Sequence, residues 1–326
     1  MSDATAKGEL VKTYLVQYPH SSTQYISHLI FTDHPSFFDN SEQARSMVRY
    51  YRGATGTKNR GNLAPEFFLP KIQVEDSFKK DYSPYIITDT EYPILVGADA
   101  HMPFHDQDAV ETFFEYGLKI KAKTIVLLGD WLDLLLMSVF TKDPTMMEPQ
   151  DEIDMLKRLL EQVLAAYPKG TKIIYKYGNH EERFEDYIKR NAPHLYKCAK
   201  VTLEEQLGLG DKITIVKDKR IIKVGDLYMI HGHEYRFAIA NPVNPARGLY
   251  LRAKKSALCA HFHQTSEHTE TSISGTVTAD WSIGALCDLH PEYMPLNKWN
   301  LGFAHLENRD NHFIVDNHRI INGKIV

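Results

Sequence analysis

Five segments of this 326-residue chain end in side chains that can bind metal. They are Asp99 with His101, Asp130 with Asp133 after Gly129, Asn179 with His180, the isolated His231, and His261 with His263. Each follows an apolar run of strand length, and ligand sites in open α/β sheets lie beyond the carboxyl ends of strands, so residues far apart in sequence can meet there. Carboxylate, imidazole and amide oxygen together suit first-row divalent ions such as Mn²⁺, Fe²⁺ or Zn²⁺, and the lack of thiolates argues against a structural zinc site. So many ligands imply two ions. Two ions about 3.5–4 Å apart share an oxygen ligand and turn a bridging water into a hydroxide aimed in line at phosphorus. Asp130 is the natural bridge, because a carboxylate has lone pairs for both ions.

The elements that must position these residues follow from the periodicity. Beginning at Ile94, apolar runs (ILVGAD, TIVLLGD, KIIYKYGN) alternate with helical segments near 107–121, 151–166 and from 181, which predicts an α/β layered domain with inner strands buried on both faces. From Ile213 strands dominate, with RIIKV and LYMIHG joined by a tight turn at Gly225-Asp226, and a helix over roughly 244–256 precedes LCAHFH. In the run IYKYGNHEERF (174–184), Gly178 is expected to turn the backbone sharply so that Asn179 and His180 point at one site.

Residues 1–60 have a different texture. Three short blocks of helical periodicity make a small all-α domain, with helix starts expected at Ser21 (paired with Gln24) and Asn40 (paired with Gln43). Residues 61–90, rich in Gly, Asn and Pro at their start, read as a linker, and 91–326 as the catalytic domain. On the third helix Arg45, Arg49 and Arg52 fall at i, i+4 and i+7, followed by Lys58 and Arg60, a basic stretch in a chain of net charge −4. Such a helix could lie on DNA or RNA phosphates as in a helix-turn-helix; a solvated face, or a module for docking or homo-oligomer formation, is the competing reading.

The ordered series DAH (99–101), GDWLD (129–133), GNHE (178–181), His231 and AHFH (260–263) resembles the calcineurin-like metallophosphoesterases, over roughly residues 91–326. Its style, with DAHMPFHD and the late DLHPEYMPLNKWNLGF, resembles phage- and prophage-encoded members. The resemblance implies a four-layer αββα sandwich and two divalent ions, Mn²⁺ foremost, with Fe, Zn and Ni as alternatives. One ion would take Asp99, His101, Asp130 and His263; the other Asp130, Asn179, His231 and His261. His180 would stabilise the developing charge and protonate the leaving oxygen, with Glu181 or Asp133 orienting that machinery. Two departures from the family pattern stand out. Ala260 replaces the glycine that usually opens the last motif, and Leu134-Leu135 replace the Arg-Gly pair of the protein serine/threonine phosphatases.

The expected activity is phosphodiester hydrolysis of nucleic acid or nucleotides. A phosphomonoesterase, or a non-catalytic nucleic-acid-binding protein on this scaffold, is the alternative. Arg183 either clamps a phosphate or pairs with a nearby glutamate, and Glu182 reads as solvated surface. His105 is expected to cap a helix, His233 to be solvated or adjacent to the ligands, and Trp281, Tyr293 and Trp299 to pack under a loop or stack on a base. The apolar fraction of 43% supports a folded core. Three cysteines (Cys198, Cys259, Cys287) without CxxC spacing read as reduced core thiols. With no signal-peptide or membrane-spanning pattern, a cytoplasmic protein is expected, in the host cytoplasm if phage-encoded.

Overall fold

The computed structural model describes residues 3–54, 80–143, 145–197, 201–235, 243–310 and 312–326. Lys58, Arg60, Cys198 and most of the segment read as a linker lie outside them. The chain divides into two units, Met1–Phe78 and Lys79–Val326.

The first unit holds three helices, α1 (Asp3–Gln17), α2 (Thr23–Asp33) and α3 (Ser41–Tyr51). They close around Val11, Leu15, Ile26, Ile30, Phe38, Ala44 and Val48. The cap of α2 is Ser22, one residue beyond the expected Ser21, and its side chain accepts from Tyr25 N–H. At α3, Asn40 caps Gln43 N–H as expected, but the Gln43 amide reaches back to Asp39 N–H.

The larger unit is built on two sheets. Its strands are β1 (Tyr85–Ile87), β2 (Ile94–Gly97), β3 (Thr124–Leu127), β4 (Lys172–Lys176), β5 (Thr214–Val216), β6 (Ile222–Val224), β7 (Leu227–Ile230), β8 (Ala257–Cys259), β9 (Ser266–Thr271), β10 (Val277–Ser282), β11 (Gly302–Arg309), β12 (His312–Ile321) and β13 (Lys324–Ile325). The seven-stranded sheet has the order β13-β12-β11-β2-β3-β4-β5, and the six-stranded sheet β1-β6-β7-β8-β10-β9. Strand β1 lies inside the segment read as a linker; its pairing with β6 places residues 85–87 in the larger unit's sheet.

Two observations explain the layering. Ile94, Val96, Val126 and Ile174 of one sheet pack against Val224, Met229 and Leu258 of the other, forming a core between the sheets. Alternate residues of the same strands, Leu95, Ile125, Leu127, Ile173 and Tyr175, face helices α4 (Gln107–Lys119), α5 (Pro149–Ala166) and α7 (Leu203–Leu207). Strands buried on both faces explain why the sequence shows continuous apolar runs there rather than alternation. On the outside of the six-stranded sheet, Leu249 of α8 (Pro245–Ala253) packs on Ile230 and Cys259. The layers therefore run helix, sheet, sheet, helix.

Local signals account for the element ends. Gly225, at φ 54°, and Asp226 form the two-residue turn that pairs Val224 with Leu227. Asp106, not His105, caps α4 by accepting from Ala109 N–H. Pro149 opens α5, whose Ile153, Leu156, Leu160 and Val163 are buried at helical spacing. No helix among the described residues is long and apolar enough to cross a membrane.

Candidate metal centre

Strands β2, β3 and β4 run parallel in one sheet, and β7 runs parallel to β8 in the other, so the five carboxyl ends carry the five motifs. The motifs are then laced together past the strands. Asp99 N–H bonds Gly129 O (3.1 Å), His101 N–H bonds Asp130 O (3.0 Å), and Ala260 N–H bonds His231 O (2.8 Å).

The lacing brings the expected ligands into three overlapping groups: Asp99, His101 and His263; His101, Asp130 and His180; and Asp130, His231 and His261, each with ligating atoms within 4.8 Å. Asp130 Oδ2 lies 3.1 Å from His231 Nε2, 3.7 Å from His180 Nε2 and 4.0 Å from His101 Nε2. Asp99 Oδ1 lies 3.5 Å from His263 Nε2. Asn179 opens α6 (Asn179–Asn191) between Gly178 and His180, both of which touch Asp130.

The backbone at this site is unusual. Asp99, His101, Asp130, His261 and His263 all take positive φ, between 49° and 71°. Non-glycine residues in the left-handed region store strain, and five of the twelve such residues among those described lie in these motifs. Gly178 is needed for a reason other than the expected sharp turn. Its φ of −94° suits any residue, but a Cβ there would stand 2.2 Å from Asp130 Oδ1. The glycine lets β4 approach the central carboxylate. Ala260 needs no positive φ and is fully buried, so alanine fits where glycine was the expected residue.

Neighbouring groups fix the orientation of the ligands. The ring of His231 is anchored by Nδ1 at 2.9 Å from Leu128 O, which leaves Nε2 for the site. Asp133 Oδ1 lies 3.2 Å from His101 Nδ1 and 3.1 Å from His180 Nδ1. Burial alone would raise the Asp133 pKa, but hydrogen bonds to His101 and His180 bring it well below the usual range. Asp130 is likewise held low, His180 and His231 outweighing burial. Burial lowers His231 and His263 as well, but the Asp130 and Asp99 carboxylates respectively push each up to about 10. His261, buried and beside His231, is pushed down to about 3.

Glu181 is fully buried. Its carboxylate accepts from the N–H groups of Asp130 (2.9 Å), Trp131 (2.8 Å), Leu132 (3.2 Å) and Gly178 (2.8 Å), and from the Tyr175 hydroxyl (2.7 Å). It thereby pins two ligand loops together. Arg183 makes no ion pair with a glutamate among the described residues: Nη1 donates to Asp133 O and Nη2 to His180 Nε2, both at 2.8 Å. Glu182 is not free surface, lying 3.3 Å from His233 and 3.7 Å from Lys219.

A buried pair went unseen in the sequence. Lys176, fully buried, meets Glu234 at 2.6 Å, and Glu234 accepts from His231 N–H and Gly232 N–H. Burial opposes its ionisation, yet Lys176 leads the groups that hold Glu234 down to about 2. The available signal was a lysine that follows the apolar run Ile173–Tyr175 directly, at the end of β4.

The aromatics divide. Trp281 packs with Phe313 beside the inter-sheet core. Trp299 stands edge-on to His263, ring centroids 4.1 Å apart, with Tyr293, 77% exposed, 6.3 Å beyond it. In the helical unit, Arg45 pairs with Glu42 at 3.3 Å and Arg49 is exposed. Arg52 turns inward to Thr23 Oγ1 and Ser21 O, tying the start of α2 to the end of α3. The expected stripe of three outward arginines therefore loses one member.

No family model matches the chain, and no curated protein matches it. Solved structures similar to it include wild-type Vps29 complexed with Zn²⁺ from Entamoeba histolytica (12% identity, 72% of this chain and 95% of that chain, TM-score 0.35). Yfce, a phosphoesterase from E. coli, is 13% identical over 69% of this chain and 98% of its own, at a TM-score of 0.33. The nuclease MPE from Pseudomonas putida is 11% identical over 65% of this chain and 83% of its own, at a TM-score of 0.30.

Proposed function

We propose that this chain is a calcineurin-like metallophosphoesterase, with one divalent ion held by Asp99, His101, Asp130 and His263 and a second by Asp130, Asn179, His231 and His261. The carrying observation is a set of buried ligand-type atoms with no hydrogen-bond partner, Asp99 Oδ1, Asn179 Oδ1 and His231 Nε2, in motifs that meet around Asp130. His231 Nε2 is close to Asp130 Oδ2 but not aligned to bond it. Ions bound there would polarise a phosphoryl oxygen and acidify a water for attack on phosphorus.

The chain's own residues act on the substrate beside that centre. With Nδ1 of His180 turned to Asp133 O and Nε2 facing an Arg183 N–H, the fitting form is the neutral imidazole protonated on Nδ1. In that form Nε2 is held by the Arg183 hydrogen bond and carries no proton of its own, and the guanidinium beside it supplies positive charge to phosphate oxygens.

Within this reading the substrate is a nucleotide or nucleic-acid diester. Trp299 and Tyr293 support it, since two aromatic rings beside His263, edge-on to each other at 65°, offer a ring face on which a base next to the scissile phosphate could stack. The test compares Mn²⁺-dependent hydrolysis of a chromogenic diester, its monoester, and labelled single- and double-stranded DNA and RNA. Cleavage of the diester and of at least one polymer is expected. Faster monoester turnover would replace this reading with a phosphomonoesterase, and bound metal without hydrolysis of any ester with a binding scaffold.

A further inference from the structure

A second cluster of ligand-type side chains lies on the β11–β12 ribbon and shares no residue with the catalytic ligands. His305, Asp316 and His318 bring their ligating atoms within 4.8 Å of one another. The register explains it: His305 pairs directly with Asp316, and His318 is two residues further along β12, hence on the same face.

His305 is the informative member. It is 2% exposed, and of its two ring nitrogens only Nδ1 has a hydrogen-bond partner. Nδ1 is 3.4 Å from the Tyr116 hydroxyl and 3.5 Å from Asp316 Oδ2. Nε2 is buried with no hydrogen-bond partner, Glu307 Oε1 standing at 3.6 Å. The Tyr116 hydroxyl also lies 3.1 Å from His318 Nε2, and with one proton it can donate to only one of the two imidazoles.

We propose that His305, Asp316 and His318 form a site for a divalent first-row ion of the zinc type. Two imidazoles and one carboxylate are the donor set such borderline ions select, and three protein ligands leave a fourth position for water or the Tyr116 hydroxyl. The ion ties β11 to β12, and through Tyr116 to α4. Because Asp316 and His318 are only half-buried, the ion can enter from solvent.

The test is a count of ions by equilibrium dialysis of the full chain against Zn²⁺ alone, followed by elemental analysis. Wild type is expected to hold one more ion per chain than Asp316→Asn/His318→Ala, while the exposed-site control His312→Ala matches wild type. Zinc should raise the melting temperature of wild type more than that of the double variant, with diester hydrolysis unchanged between them. Equal counts in wild type and double variant would overturn the proposal and leave a hydrogen-bonded Tyr116 network. If the double variant does not fold, His318→Gln carries the same comparison. The count requires no substrate, so it stands apart from the phosphoesterase reading.

Discussion

Arg183 donates to Nε2 of His180 over 2.8 Å, and to the Asp133 carbonyl over the same distance. One guanidinium thus fixes both the rotamer and the proton position of His180, whose Nε2 lies 3.7 Å from Asp130 Oδ2. Only a planar fork can make both bonds. Arg183→Ala is expected to lower kcat/KM by roughly 10²-fold, mostly in kcat. Arg183→Lys should restore only part of the rate; full activity of the lysine variant would contradict the paired geometry.

Glu181 tests the coupling between ligand loops. Glu181→Gln turns an N–H₂ toward backbone N–H donors that need an acceptor, so about 2–4 kcal/mol of stability should be lost in denaturant unfolding. Metal affinity should fall roughly 10- to 100-fold, as when groups behind ligands are changed. Wild-type stability and affinity in this variant would show that the five hydrogen bonds do not hold the site.

Removing the Lys176 ammonium leaves the Glu234 carboxylate buried and unpaired behind His231. Lys176→Met should cost about 3–5 kcal/mol, and Lys176→Met/Glu234→Gln should recover much of that loss, because it is the orphaned charge that is expensive. Equal unfolding midpoints for the single and double variants would refute this.

Glu152 carries a pH dependence. It is 2% exposed, accepts from Leu134 N–H at 2.7 Å, and burial pushes its pKa from 4.5 up to about 8. The fold therefore favours the protonated form. Its stabilising contribution is full below about pH 4.5 and is lost progressively as pH rises through about 8, a change on the order of a few kcal/mol. Melting temperature measured across that window should fall less steeply with pH in Glu152→Gln than in wild type; parallel curves would assign the ionisation elsewhere.

The sequence was most legible where one physical rule dominates. Continuous apolar runs marked β2, β3 and β4, and ligand-type residues at strand ends marked the cluster around Asp130. Contacts between distant segments were not legible. That Gly178 is needed for its approach to Asp130 rather than for a turn depends on β3 and β4 being neighbours, which no local pattern states. Lys176 with Glu234, the inward Arg52 and the His305 cluster likewise depend on register and packing. Strand β1, three residues long, is too short for period-two alternation to reveal.

In the proposed function Asp130 is the carboxylate that would be shared by two catalytic ions. The most direct test is Mn²⁺-dependent hydrolysis of a chromogenic phosphodiester by wild type and Asp130→Asn, with bound metal counted in both. The account predicts metal-dependent turnover in wild type, a loss of roughly 10³-fold or more in the variant and a lower ion count. Asp130→Asn with wild-type turnover and an unchanged ion count would contradict it.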